Sequence, residues 1–168
     1  KGSASNLGKA TNIDLRNKYI VLDISEIGKD LLAFGTLLAT DICMEYCKQD
    51  RAENKIIILD EIWSLIGAGS NSEAATFIQE MFKTVRGYGT AAIGASQDLE
   101  DFFALENGKF GKALLNNSRI KFALMTEPEE ARLIQQYYHL TDEEMQMHAR
   151  FSRGQALLCA GLNRLGVD

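Results

Sequence analysis

Two adjacent carboxylates, Asp60 and Glu61, close an aliphatic run made of Ile56, Ile57, Ile58 and Leu59. The run has the length and apolar continuity of a buried parallel strand. In an open α/β sheet, ligands bind beyond the carboxyl ends of the strands, which is where this pair falls. Two acids so placed suit a magnesium-bound nucleotide. The first serves the metal, through water or through the nucleotide, and the second orients or deprotonates the attacking water. The bland alternative is a strand leaving the core, with acids opening the next turn. The other half of such a site is a Gly-rich phosphate loop, G-x-x-x-x-G-K-[ST]. No such motif occurs in the chain. The nearest stretch, from Gly2 to Lys9, fails on spacing and continues with Ala10 instead of a hydroxyl residue. The chain thus carries half of a nucleotide site.

Three companions bear on the acid pair. Gln97 follows a second apolar run, and at the end of a neighbouring strand its amide would orient water or sense a terminal phosphate. Otherwise it is a solvated turn residue. Arg86 stands before Gly87-Tyr88-Gly89, between a helix end and two glycines. From there it would reach a neighbouring subunit's nucleotide as an arginine finger, or serve as the cation that a helix C-terminus favours. Arg119 and Arg153 each open a strand and are read as a pair facing phosphate or a subunit interface. Trp63, two residues past Glu61, is best read as a partly buried anchor. His139 and His148 sit in polar contexts and are read as surface residues. Tyr137 and Tyr138 pack at a helix end, and Glu127, Glu129 and Glu130 complement a helix dipole.

These residues need elements to hold them. Residues 19–24 read as a buried strand, and 29–48, apolar nearly all round, as a well-buried helix. A charged loop leads to the strand at Ile56, completing one βαβ unit. Gly67-Ala68-Gly69 interrupts the chain. Ser70 with Glu73 forms the pattern of a capping box for a helix with Ala74, Phe77, Ile78, Met81, Phe82 and Val85 at helical spacing. Residues 90–96 are a small-residue strand suited to a crowded sheet centre. Short helices at 99–105 and 110–115 flank Asn107-Gly108, and 119–125 is another strand. Thr126 with Glu129, and Thr141 with Glu144, give two further capping-box patterns, with Pro128 in the first helical turn. The last strand is 155–160. The alternation argues for an α/β fold with a mostly parallel sheet.

Length and composition set the frame. At 168 residues the chain is one domain with room for a core. A net charge of -5 gives no broad basic field, which counts against autonomous nucleic-acid binding. Three cysteines do not make a disulfide framework. Cys43 and Cys47 share a helix face with no further ligand nearby, and read as small buried hydrophobes in a reducing compartment. No apolar run is long enough to span a membrane. Residues 1–14 read as a linker or the end of an insertion, and the chain as an excised fragment.

Asp60-Glu61-Ile62-Trp63, Arg86-Gly87-Tyr88-Gly89 and Ser96-Gln97, taken in that order, resemble the C-terminal half of the conjugative-transfer ATPases of type IV secretion systems, of the TraC/TraE/TrsE and CagE/TrbE kind. The opening Thr11-Asn12-Ile13-Asp14-Leu15 and the closing Arg153-Gly154-Gln155-Ala156-Leu157-Leu158 are similar as well, so the resemblance spans nearly the whole chain. The wider HerA/FtsK superfamily shares the order of acid pair, Arg-x-x-Gly and Gln. The resemblance implies a partial RecA-like P-loop NTPase core over 1–168, lacking the phosphate-loop strand. It implies ATP and Mg²⁺, with Asp60 as the Walker B metal acid, Glu61 as catalytic carboxylate and Gln97 as sensor; an arginine-finger role for Arg86 carries over less directly. It implies a hexamer at the inner face of the cell membrane, in the cytoplasm. Its partners would be a secretion channel, coupling proteins and DNA. Two other readings stand beside it: a DNA-pumping motor of the HerA/FtsK type, and a non-catalytic interaction module that kept the sheet and lost the phosphate loop.

Overall fold

The aliphatic run at 56–59 and the small-residue run at 90–94 both form strands, and they pair with each other. The structure, a computed structural model, describes residues 16–24, 26–67 and 70–168. β1 (Lys55–Leu59) and β2 (Thr90–Gly94) run parallel, with Lys55 opposite Thr90 and Leu59 opposite Gly94. The expected linker at 1–14 lies outside the described residues.

Between the two strands the chain forms α2 (Trp63–Ile66) and α3 (Ser72–Thr84), then a 3₁₀ turn over Val85–Tyr88. The helical spacing seen in the sequence puts Ala75, Ile78 and Met81 in the interior. The cap differs from the expected box. Asn71 is the N-cap, accepting from the N–H groups of Glu73 and Ala74, while Ser70 donates its hydroxyl to the Gly67 carbonyl. Asn is as good an N-cap as Ser, and here its position fits the first turn. Gly67 is required by a close approach: a Cβ there would lie 2.1 Å from the Asp101 carbonyl oxygen.

α1 (Lys29–Gln49) packs on α3, as its length of apolar sequence predicts, but it is not buried all round. Its interior face is narrow and made of small residues, among them Gly35, Thr36, Thr40 and Cys47. Thr40 satisfies its buried hydroxyl by donating to the Thr36 carbonyl. Phe34 and Leu38 stay partly in solvent because only one side of the helix meets a described element. The strand expected at 19–24 is absent: residues 16–24 form a bend and an irregular segment. A strand needs a ladder partner, and no described strand pairs with this segment. Tyr19 is accordingly 83% exposed, although Ile24 reaches the main core.

α4 (Leu99–Phe102) and α5 (Lys109–Asn117) are the two short helices expected around Asn107-Gly108. With Ile62, Ile66 and Ile78 they close the main core through Phe102, Phe110 and Leu114. β3 (Ile120–Leu124), β4 (Ala156–Ala160) and β5 (Asn163–Val167) form a separate antiparallel sheet in that order. Parallel pairing is therefore confined to β1 and β2 among the described strands. β5 lies beyond the last strand expected from the sequence, 155–160. Its signal is the two-residue connection Gly161-Leu162, with Gly161 at φ 62, the position where a tight hairpin favours glycine.

α6 (Pro128–Tyr138) and α7 (Asp142–His148) cover one face of this sheet through Ile134, Leu140 and Leu157. The Thr141–Glu144 capping box forms with both reciprocal bonds. The Thr126–Glu129 box does not form. Glu127 is the N-cap, and the Thr126 hydroxyl is buried without a partner. His148 is the clearest departure from a surface assignment. It is 3% exposed, donates from Nε2 to the Leu124 carbonyl at 2.9 Å, and meets the edge of Phe151. His139 is exposed, and ends α6 in the left-handed conformation. Tyr137 stacks on Phe103, and burial pushes the Tyr138 phenol up to about 12.

Candidate functional site

Two parallel strands in register end at the same sheet edge, so whatever follows them is brought together. Asp60-Glu61-Ile62 follows β1 and Ala95-Ser96-Gln97 follows β2. The two exits are tied by backbone: the Ala95 N–H donates to the Leu59 carbonyl, and the Ile62 N–H to the Ala95 carbonyl, both at 2.9 Å. Asp60 and Gln97 are exposed and Glu61 is half-buried. The carboxyl edge of the strand pair thus carries two carboxylates after one strand and an amide after its neighbour.

Glu61 turns the chain. Its φ is 49°, in the left-handed region that a residue with a Cβ rarely adopts. Hydrogen bonds on both sides fix it there. The Glu61 N–H donates to Asp60 Oδ1 at 3.0 Å, and the Glu61 carbonyl accepts from the Ser64 N–H and the Ser64 hydroxyl. The carboxylate accepts from the Trp63 indole N–H, Nε1 to Oε2, at 2.5 Å. Trp63 itself is half-buried against the main core, so the anchor reading holds. A strained backbone that its surroundings over-determine is a frequent mark of a functional residue. The strain has a measurable consequence. Glu61→Ala and Glu61→Gly both remove the carboxylate, so their difference isolates the backbone. We expect Glu61→Gly to be the more stable by about 1 kcal/mol, the reverse of the usual order, because the left-handed conformation costs a residue with a Cβ about 1–2 kcal/mol. Urea denaturation of both variants measures this; an alanine variant as stable as the glycine one would mean the turn is unstrained.

The residues present constrain any metal. No group of three or more His, Cys, Asp or Glu side chains among the described residues is arranged to hold an ion. Asp60 offers one exposed carboxylate, with Oδ1 engaged by its neighbour's N–H. That set fits Mg²⁺ held mainly by nucleotide phosphates and water, with Asp60 as an outer partner, and not a dedicated protein cage.

The arginines are not part of this edge. Arg86 is exposed in the 3₁₀ turn that precedes β2, so it lies at the amino edge of the sheet. Five residues of strand at about 3.3 Å each put roughly 16 Å between it and the acid pair. Within one chain the two cannot meet, and Arg86 stands in the last helical turn, where a cation complements the helix C-terminus. Arg119 and Arg153 are not a pair. β3 and β4 are antiparallel, with Ile120 opposite Ala160 and Leu124 opposite Ala156. The start of one strand therefore abuts the end of the other, and the two arginines stand at opposite ends of the sheet. Cys43, Cys47 and Cys159 are free thiols, and burial raises Cys43 and Cys159 above their ordinary values.

A parallel strand pair with acids and an amide at its carboxyl edge is the arrangement of a P-loop NTPase, and the comparisons bear this out for the fold. The sequence matches the TraG P-loop domain over residues 5–155, and the chain belongs to that family. The structure is similar to VirB4 of Thermoanaerobacter pseudethanolicus, with a TM-score of 0.81 and 24% identity, over 93% of this chain and 42% of that one. It is also similar to the genome packaging NTPase B204 of Sulfolobus turreted icosahedral virus 2. For the complex with AMP the TM-score is 0.56 at 15% identity, over 84% of this chain and 62% of that one. For the complex with ATP-gammaS it is 0.52 at 16%, over 87% and 63%. The chain thus spans less than two thirds of each of these structures. No curated protein matches the sequence.

Proposed function

We propose that this chain is part of the ATPase motor of a type IV secretion system, contributing the metal acid and the sensor side of the nucleotide site. The observation that carries the reading is the meeting of Asp60, Glu61 and Gln97 at one carboxyl edge, in a fold similar to VirB4. In this reading Asp60 orients the Mg²⁺ shell, Glu61 aligns and deprotonates the attacking water, and Gln97 contacts the terminal phosphate or that water. Mg²⁺ supplies charge neutralisation on the phosphate oxygens. The phosphate loop belongs to a longer protein that carries this segment. Arg86, at the far edge, acts on the nucleotide of a neighbouring subunit in a ring, a hexamer by the family resemblance. The motor works at the cytoplasmic face of the membrane, against a secretion channel and coupling proteins.

The likeness to B204, whose name describes genome packaging, favours a second reading in which the same chemistry pumps DNA. The two share every residue role and differ in cargo.

In the full-length protein, Asp60→Asn tests the metal role. An outer-shell partner typically contributes 10- to 100-fold in metal affinity, so half-maximal ATP turnover should need about tenfold more Mg²⁺ or higher. A titration of turnover with Mg²⁺ reads this directly. An unchanged Mg²⁺ requirement would remove Asp60 from the metal.

A further inference from the structure

Side chains two apart along a helix point away from each other, yet Glu61 and Trp63 share a hydrogen bond of 2.5 Å. The left-handed turn at Glu61 makes this contact: it folds the carboxylate back over the start of α2. The donor is rigid, because the Trp63 ring is packed on the core that contains Ile62, Leu65 and Ile66. It is also uncharged. An indole N–H can only donate, so it fixes the carboxylate's direction without placing an opposing charge beside it. It occupies Oε2, and no hydrogen bond among the described residues engages Oε1.

We propose that Trp63 is a positioning residue for Glu61: its indole N–H holds one carboxylate oxygen and leaves the other for the carboxyl edge that Gln97 shares. This rests on the reading of Glu61 as the carboxylate that handles the attacking water. A glutamate side chain has three rotatable bonds, and a catalytic carboxylate held by a packed donor spends more of its time in the productive orientation. Ser64 supports the same turn from its other side, through two bonds to the Glu61 carbonyl.

Trp63 is the sole tryptophan in the chain, so the ¹⁵N-labelled protein gives a single indole N–H resonance with no assignment problem. In the 168-residue chain, Glu61→Ala should move that resonance toward the position of a free indole and speed its exchange with solvent by on the order of tenfold. Glu143→Ala, which removes an exposed carboxylate on α7 away from this turn, should leave both unchanged. An indole resonance indifferent to Glu61→Ala would overturn the contact. The catalytic half is tested in the full-length protein with Trp63→Phe, which keeps the ring's packing and removes the donor. We expect kcat to fall on the order of tenfold, as loss of an outer orienting group does, with KM unchanged within twofold. Wild-type kcat in Trp63→Phe would overturn the positioning role. Wild-type turnover in Glu61→Gln would instead defeat the underlying reading of Glu61, and the indole resonance would still report whether the contact exists.

Discussion

The 168-residue chain on its own is expected to show no ATP hydrolysis and to bind Mg-ATP on the order of millimolar or weaker, which is about −4 kcal/mol or less. In nucleotide hydrolases of this fold the phosphates are gripped by backbone N–H groups and a lysine of the phosphate loop. This sequence has no such loop, and the exposed Asp60 reaches a nucleotide chiefly through its metal. The same lack has a structural side. Among the described strands β2 pairs with β1 on one side and with nothing on the other. The outward face of the parallel pair carries Ile56 and Ile58, each 65% exposed, together with Ile93. On the second sheet Ile120, Phe122 and Leu124 are similarly open. Unpaired edges beside bare aliphatic faces favour association, so the isolated chain should self-associate. Calorimetry with Mg-ATP and sedimentation at several concentrations measure both properties. Binding in the micromolar range, or a strictly monomeric chain at high concentration, would show that these residues form a more complete unit than the fold indicates.

The fold class was legible in the sequence, and so was the sheet edge at which the candidate residues stand. Asp60 and Glu61 announce themselves because four aliphatics lead into two acids, and the end of a parallel strand is a place with a known use. Gln97 follows by the same logic from the small-residue strand. What failed were inferences that depend on partners. Residues 19–24 have strand composition, but strand formation is a property of a pair, and no described neighbour supplies the second half. The apolar content of 29–48 reads as a well-buried helix, yet burial depends on how many sides are covered, and here the interior face is the one with threonines and a glycine. Arg119 and Arg153 look equivalent as strand openers, and only the antiparallel direction of β4 separates them. His148 has polar neighbours in sequence, but the turn of α7 places it over β3, where the Leu124 carbonyl needs a donor. The Trp63–Glu61 contact was out of reach of any spacing rule, since it exists only through the positive φ at Glu61.

That turn points to the most direct test. In the full-length protein, Glu61→Gln keeps the size and shape of the side chain, and its amide oxygen still accepts the Trp63 N–H. It removes the negative charge and the capacity to take a proton. General-base assistance contributes about 10²- to 10⁴-fold to a rate. ATP affinity draws on the phosphate loop and Mg²⁺, which the substitution does not touch. Measuring turnover and ATP binding side by side in wild type and Glu61→Gln should therefore give a kcat lower by about 10²-fold or more, with ATP affinity within a few-fold of wild type. Turnover at the wild-type rate would contradict the assignment of the β1 carboxyl edge as the centre of the chemistry.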